Sequence, residues 1–399
     1  MSMTTRADDC SEPPCELRVQ AVHHPDGRRS YLVHDVAAGT FHRRADRFLA
    51  PFAEGTQRTY AHHLVDHLRW LAASGRTEEK IELADLRRYM ALCGAEHAGP
   101  LGLPWRRQPL GDASLRVRAA CVKGYYIDLL TREDMNRPLR ADLSQRRFAT
   151  SYDRNRSALG HLTTSVPSNP LSRGAPPKRH PRLLPDGARE AMLAAVRNAR
   201  DRMIVTWLSD SGMRIGELCG LSFCDLHLRK NHECGERTGP HVHIVRRHNP
   251  NSASAKTARR ARIVDGVITG GTVRRVSPAM VDTYNEYVAD EYLGVRAVAH
   301  TDLVFVHLAG PTAGQPLTTH GARQMVERVG RRAGLGRIKP HAFRHTWATA
   351  LTEATGGNTK AVADEGGWAS SQTVEETYAH LAGDPTLEAA LSAIWGEDK

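Results

Sequence analysis

A chain of 399 residues exceeds one ordinary domain and predicts two or three. Its 55 Lys and Arg against 44 Asp and Glu give a formal charge of +11, a balance that favours a polyanionic partner such as nucleic acid, and no long apolar run or basic amphipathic anchor points to a membrane. Residues 1–19 lack the apolar core of a signal peptide, and seven unevenly spread cysteines fit free thiols rather than a disulfide framework, so a bacterial cytoplasmic or nucleoid location is expected.

In chain order, residues 1–50 form an N-terminal extension in which weak alternation around "HPDGR" predicts a small hairpin. Residues 51–165 predict a helical DNA-binding domain: Tyr60, Leu64, Leu68 and Leu71 recur at helical spacing, with Thr56 as the expected N-cap and Gly75 as the stop. Its end, "LRADLSQRRFATSYDRNR", offers a basic face able to track a phosphate backbone. Pro, Gly, Ser and cations concentrate in 166–187, an expected linker. Residues 188–383 alternate helical stretches with strand-like "HVHIVRR" and "ARIVDGVITGGTVRRV", predicting a mainly α domain with a small antiparallel β-sheet. The tail 384–399 predicts a short helix with Leu387, Leu391 and Ile394 on one stripe.

Four separated stretches carry the chemistry. "KPHAFRHTWATAL", Lys339 to Leu351, opens a helix with Pro340 at its first position and gathers His341, Arg344 and His345 in its first turns. There cationic donors join the unpaired N–H groups of the helix start, an arrangement suited to phosphate. "SGMRIGELCGL" adds Arg214, "NSASAKTARR" adds Lys256 and "TVEETYAHL" adds Tyr378. Two guanidiniums can clamp the nonbridging oxygens of a phosphodiester, a lysine can protonate a leaving oxygen, and a tyrosine can hold the phosphate covalently. A carboxylate cluster for magnesium and a Walker-type loop are both missing from the sequence, so no metal or cofactor is expected.

From about Thr56 to His380 the pattern resembles the tyrosine recombinases, also called the phage integrase family, through "GMRIGEL", "HAFRHTWAT" and the terminal "TYAH", and "VRRHNPNSASAKT" is similar to the lysine hairpin of transposon-encoded members. The resemblance implies a helical core-binding domain plus a mixed α/β catalytic domain of the tyrosine recombinase type, closing around double-stranded DNA. Carried over by motif, Arg214 and Arg344 are the phosphate clamp, Lys256 the general acid, His341 an acid/base partner and Tyr378 the nucleophile. Glu217 and His345 take supporting positions, and Trp368 stands where members place a His or Trp before the nucleophile. The implied activity is site-specific recombination, of integrase or transposase type, through a covalent 3′-phosphotyrosyl intermediate. A homotetramer on DNA and a companion recombinase are the implied partners.

Alternatives stay open at this stage. The same chemistry would serve a type IB topoisomerase-like relaxing enzyme, and a catalytically silent DNA-binding factor would keep the fold. Tyr378 could be a half-buried core tyrosine, His345 a backbone-bonded structural residue, and Trp368 core packing. Cys224, His227, His232, Cys234, His241 and His243 are residue types that suit zinc but match neither usual paired-cysteine spacing, so free thiols and surface histidines are expected, with a zinc site as the lesser alternative.

Overall fold

Alternation in the first described segment builds a sheet. Leu17–His23 (β1) pairs antiparallel with Arg29–Asp35 (β2), Leu17 opposite Asp35 and His23 opposite Arg29, and Thr40–Phe41 (β3) adds a third strand. Leu17, Tyr31 and Val33 point inward and join the core of the helices that follow, so this segment is built into its unit rather than appended to it. The computed structural model describes residues 16–25, 28–95, 108–155, 160–172, 180–257 and 259–379. The expected tail helix at 384–399 and part of the expected linker at 166–187 lie outside them.

The chain divides into two units, Met1–Lys178 and Arg179–Lys399. In the first, Arg43–Leu49 (α1), Glu54–Ala73 (α2), Leu83–Cys93 (α3), Asp112–Arg132 (α4) and Arg137–Leu143 (α5) surround a core that includes Leu64, Leu68, Leu86, Tyr89, Val122 and Tyr126. The helix expected to start after Thr56 starts earlier, after Ala53, so Thr56 falls inside the first turn and its amide bonds the Ala53 carbonyl at 2.9 Å. Gly75 follows the helix in the left-handed region, φ +63°, where glycine carries no Cβ penalty. Arg146–Phe148 (β4), fully solvent-facing, pairs with Ser165–Pro167 (β5), and Ser151–Asn155 (α6) lies between them in sequence.

In the second unit, Ala188–Ala195 (α7), Ala199–Ser211 (α8) and Ile215–Leu218 (α9) precede a three-stranded antiparallel sheet. Its strands Leu226–His227 (β6), His241–Ile244 (β7), and Thr272–Arg275 run in the order third, second, first, with Thr272 opposite Ile244 and Leu226 opposite Val242. Between the second and third lies a separate hairpin, Ala261–Val264 (β8) with Val267–Gly270 (β9), so Thr272–Arg275 is β10. Asp265 and Gly266 both have positive φ, 52° and 81°, as a tight two-residue Asp-Gly turn requires. Pro278–Tyr287 (α10) is capped by the Ser277 hydroxyl and continues through a π turn into Leu293–Val295 (α11). Thr319–Arg332 (α12), Pro340–Ala354 (α13), Thr359–Gly366 (α14) and Ser371–Val374 (α15) complete it, the last leading into a π turn, Glu375–Ala379. Trp207, fully buried, donates its indole N–H to the Met280 carbonyl at 2.9 Å and anchors α8 to α10. A smaller cluster of Ala348, Val362, Ala363, Val374 and Tyr378 joins α13, α14 and the 371–379 segment. No described helix is long and apolar enough to cross a membrane.

One buried charge is the weak point of the first unit. Arg118 is 2% exposed and forms an ion pair with Asp66, with the Tyr89 hydroxyl at 2.9 Å and His63 Nδ1 at 3.2 Å. Removing one partner of a buried pair leaves the other charge uncompensated. Arg118→Ala is therefore expected to destabilise this unit by about 3–5 kcal/mol, read as a lower urea midpoint in equilibrium unfolding. A shift below about 1 kcal/mol would show that Asp66 is fully served by its other contacts.

Candidate active site

The site is organised around a buried carboxylate. Helix α8 ends at Gly212, φ +59°, where a Cβ would come within 2.5 Å of the Trp347 ring; glycine is required both for the turn and for the close approach. Arg214 follows as N-cap of α9, and its amide donates to Glu217 Oε2 at 3.0 Å while its Nη1 donates to Oε1 at 2.7 Å. Glu217 is only 4% exposed. Burial pushes its pKa up, but the charges of Arg274 and Arg214, with Arg344 beyond them, outweigh burial and hold it below the ordinary carboxylate value.

Two buried arginines complete the network. Arg274, inward-facing on β10, donates to Glu217 Oε2 at 3.1 Å, to the Ser211 carbonyl at 2.8 Å and to the Gly366 carbonyl at 2.7 Å. Arg344, in the second turn of α13, donates to the Gly212 carbonyl and to the Gly366 carbonyl, each at 2.8 Å. Its guanidinium lies 3.6 Å from the centroid of the Trp368 ring, a cation–π contact. Gly366 has to be glycine, because a Cβ there would fall 1.8 Å from Trp368. Burial and the neighbouring Arg274 and Arg214 charges weaken the hold of Arg344 on its proton, a sign that this spot carries more positive charge than Glu217 neutralises.

Beside this cationic floor stands Tyr378. It is 2% exposed, its hydroxyl lies 2.8 Å from His345 Nδ1, and its ring meets Trp368 edge-on with centroids 5.8 Å apart. Burial raises the phenol pKa, and the Arg344 and Arg214 charges oppose that rise. Burial, together with His341 and Arg344, pushes His345 down to about 4, so its imidazole is neutral at pH 7 and has one nitrogen available as acceptor. His341 packs on His345 at 4.3 Å between ring centroids, is itself exposed, and has its pKa lowered by partial burial, Arg344 and Arg214. Tyr378 reaches this place on the π turn after α15, whose N-cap is Ser370.

The structure thus brings Arg214, Glu217, His341, Arg344, His345, Trp368 and Tyr378 into one neighbourhood, and Trp368 lines the site between Arg344 and Tyr378. Lys256 is not joined to it by any described hydrogen bond. It is exposed in the segment between β7 and β8, flanked by buried Ala255 and Thr257, and the hairpin lies beyond it at 261–270. Thr257 ties the segment to β10 through a 2.7 Å bond to the Thr272 hydroxyl. Arg274 is the member that sequence reasoning missed; its only signal is its two-residue spacing from Thr272 on a short strand, which puts both on the buried face. The expected surface histidines are a correction. His227, His241 and His243 are buried beside Cys234, because β7 is covered on both faces and its period-two alternation puts His241 and His243 together on one of them.

The chain and its fold are similar to several known proteins. The chain is 28% identical over 192 residues to transposase A from transposon Tn554 of Staphylococcus aureus, covering 48% of this chain and 46% of that protein, so it spans about half the length of that relative. It is 23% identical over 334 residues to the tyrosine recombinase XerD of Chlorobaculum tepidum, covering 83% of this chain and 87% of that one. Its fold is similar to XerH site-specific recombinase bound to a palindromic difH substrate, with TM-score 0.53, 18% identity and coverage of 86% and 81%. It is also similar to the Tn1549 transposon integrase in complex with circular intermediate DNA, with TM-score 0.53, 14% identity and coverage of 86% and 98%. Residues 257–384 match the phage integrase family, and that stretch carries Arg274, Arg344, Trp368 and Tyr378.

Proposed function

We propose that this protein is a site-specific DNA recombinase that cuts and rejoins DNA strands through a covalent 3′-phosphotyrosyl intermediate, acting as a homotetramer on duplex DNA in the service of a mobile element. The observation that carries this reading is the excess positive charge of Arg214, Arg274 and Arg344 over Glu217 beside the Tyr378 hydroxyl, a site whose electrostatics are completed by an anion. A phosphodiester supplies one. Arg344 keeps N–H groups beyond the two committed to carbonyls, and Arg214 is partly exposed, so both have donors for nonbridging oxygens.

In the proposed step the Tyr378 oxygen attacks phosphorus and the bond to the 5′-oxygen breaks. The phenolic proton passes to His345 Nδ1, the acceptor already at hydrogen-bond distance. Arg214 and Arg344 stabilise charge on the nonbridging oxygens, His341 adds a donor, and Lys256 protonates the leaving oxygen once DNA draws its segment inward. Glu217, Arg274 and Trp368 position the clamp. Because Tyr378 is buried, the 375–379 turn must shift to present the hydroxyl. Each step exchanges one phosphodiester for another, so no nucleotide cofactor is needed. Reversal by a 5′-hydroxyl from a second duplex gives recombination.

A plasmid carrying two copies of the DNA that flanks the encoding element tests the function. Recombination between the copies, with no relaxation of a plasmid lacking them, is expected; relaxation of both plasmids alike would make the protein topoisomerase-like. Arg214→Ala should lower cleavage about 10²–10³-fold, since its bonds strengthen as charge develops, while site binding changes far less because many phosphate contacts share it. Equal losses in both assays would make Arg214 an ordinary DNA-binding residue. Lys256→Ala should be inactive on ordinary DNA and rescued by sulfur at the 5′-bridging position, whose departure needs no proton; failure of the sulfur substrate to rescue would move the general acid elsewhere.

A further inference from the structure

Away from the arginines, three chain segments converge four potential ligands. His227 Nδ1 comes from β6, Cys234 Sγ from the 228–240 loop, and the Nε2 atoms of His241 and His243 from β7; all four lie within 4.8 Å of one another. His227 Nδ1 is 3.1 Å from His243 Nε2 and 3.3 Å from His241 Nε2, and Cys234 Sγ is 3.1 Å from His241 Nε2. We propose that His227, Cys234, His241 and His243 form a structural zinc site.

The hydrogen-bond pattern specifies where the lone pairs point. His241 Nδ1 faces the Gly239 carbonyl and His243 Nδ1 faces the Gly270 carbonyl, each at 2.8 Å. A carbonyl only accepts, so both Nδ1 atoms carry the hydrogen, and in the neutral rings both Nε2 atoms present bare lone pairs to the same point. Protons alone would serve the group poorly, with one N–H on His227 and one weak S–H shared among four converging atoms. A divalent cation takes all four lone pairs at once. Backbone carbonyls that fix the outer nitrogen of a ligating histidine are the usual support of such a site.

The donor set selects the metal and its role. Three imidazoles and a thiolate suit zinc, and with Zn–N of about 2.0–2.1 Å and Zn–S of about 2.3 Å a tetrahedral centre spaces its ligand atoms about 3.3–3.7 Å apart; three of the pairs here stand at 3.1–3.3 Å and the others within 4.8 Å, so an ion needs only small side-chain adjustments. Four protein ligands leave no open position, so the ion holds structure and performs no chemistry. What it would hold is the 228–240 loop. Glu236 in that loop accepts from the Gly270 amide at 2.9 Å, and Arg237 reaches Glu365 at 3.3 Å, next to the Gly366 carbonyl that receives both buried arginines. His232 stacks on His227 with ring centroids 3.5 Å apart and shields the outer face, while Cys224 is exposed and lies outside the group.

The test uses the full chain purified without a metal-affinity tag and dialysed against metal-free buffer. Elemental analysis should find about one zinc per chain. Exchange to cobalt(II) should give the intense visible bands of a tetrahedral site plus a thiolate-to-cobalt charge-transfer band. Cys234→Ser should lose the charge-transfer band, His243→Gln should retain metal at least about tenfold more weakly, and Cys224→Ser should behave as the parent. A folded parent chain with less than about a tenth of an equivalent of zinc and no cobalt spectrum overturns the proposal, and so does a charge-transfer band that survives Cys234→Ser. Since the parent alone decides the first point, the outcome does not depend on the variants folding, and it is independent of whether the chain cleaves DNA.

Discussion

The Gly366 carbonyl receives a hydrogen bond from Arg274 and another from Arg344, and the rest of the second unit is arranged to make that possible. Those bonds draw the end of α14 against the end of α8, whose Ser211 and Gly212 carbonyls take the other donors of the same two side chains. A buried guanidinium is tolerated only when its donors are satisfied and its charge is balanced. Glu217 supplies one negative charge for Arg274 and Arg214 together, leaving the cluster short of one anion or more. Stability and the proposed function meet in that deficit, because the bonds that hold three helices together also leave a preorganised cationic floor, which the proposal assigns to a phosphodiester.

The same scaffold explains why the proposed nucleophile and its neighbours sit where they do. Trp368 packs beneath Arg344 on one side and against Tyr378 on the other, so the aromatic ring couples the position of the clamp to that of the hydroxyl. The low pKa of His345 keeps an uncharged acceptor next to the phenol, where a second cation would add repulsion to a site already rich in arginine. Tyr378 is anchored in a small apolar cluster with Val362 and Val374, which keeps the side chain out of water.

Much of this was legible in the sequence wherever local rules decide the outcome. Pro340 at a first helical position, the glycine after α8 and the apolar spacing of α2 each act within a few residues, and they fix where the helices that carry or precede Arg344 and Arg214 start and stop and which face of α2 is buried. What escaped was set by packing between distant segments. Arg274 looks like any strand arginine until β10 is seen to face Glu217 from 57 positions away. Thr56 lost its cap to an earlier helix start, and the strands before α1 entered the core because Leu17, Tyr31 and Val33 alternate toward it. The histidines of β7 were missed for a related reason. Paired-cysteine spacing is a loop signature, whereas a His-x-His on a strand becomes a pair only once its inward face is known.

The central claim is that the Tyr378 oxygen is the atom that takes the DNA phosphate. A nicked suicide duplex built on the flanking DNA, from which the short cleaved fragment diffuses away, would trap the covalent species on a denaturing gel. The account predicts a protein–DNA adduct with the parent chain, its DNA-linked peptide containing Tyr378, and none with Tyr378→Phe, which still shifts the duplex on a native gel. An adduct of undiminished yield with Tyr378→Phe would contradict it.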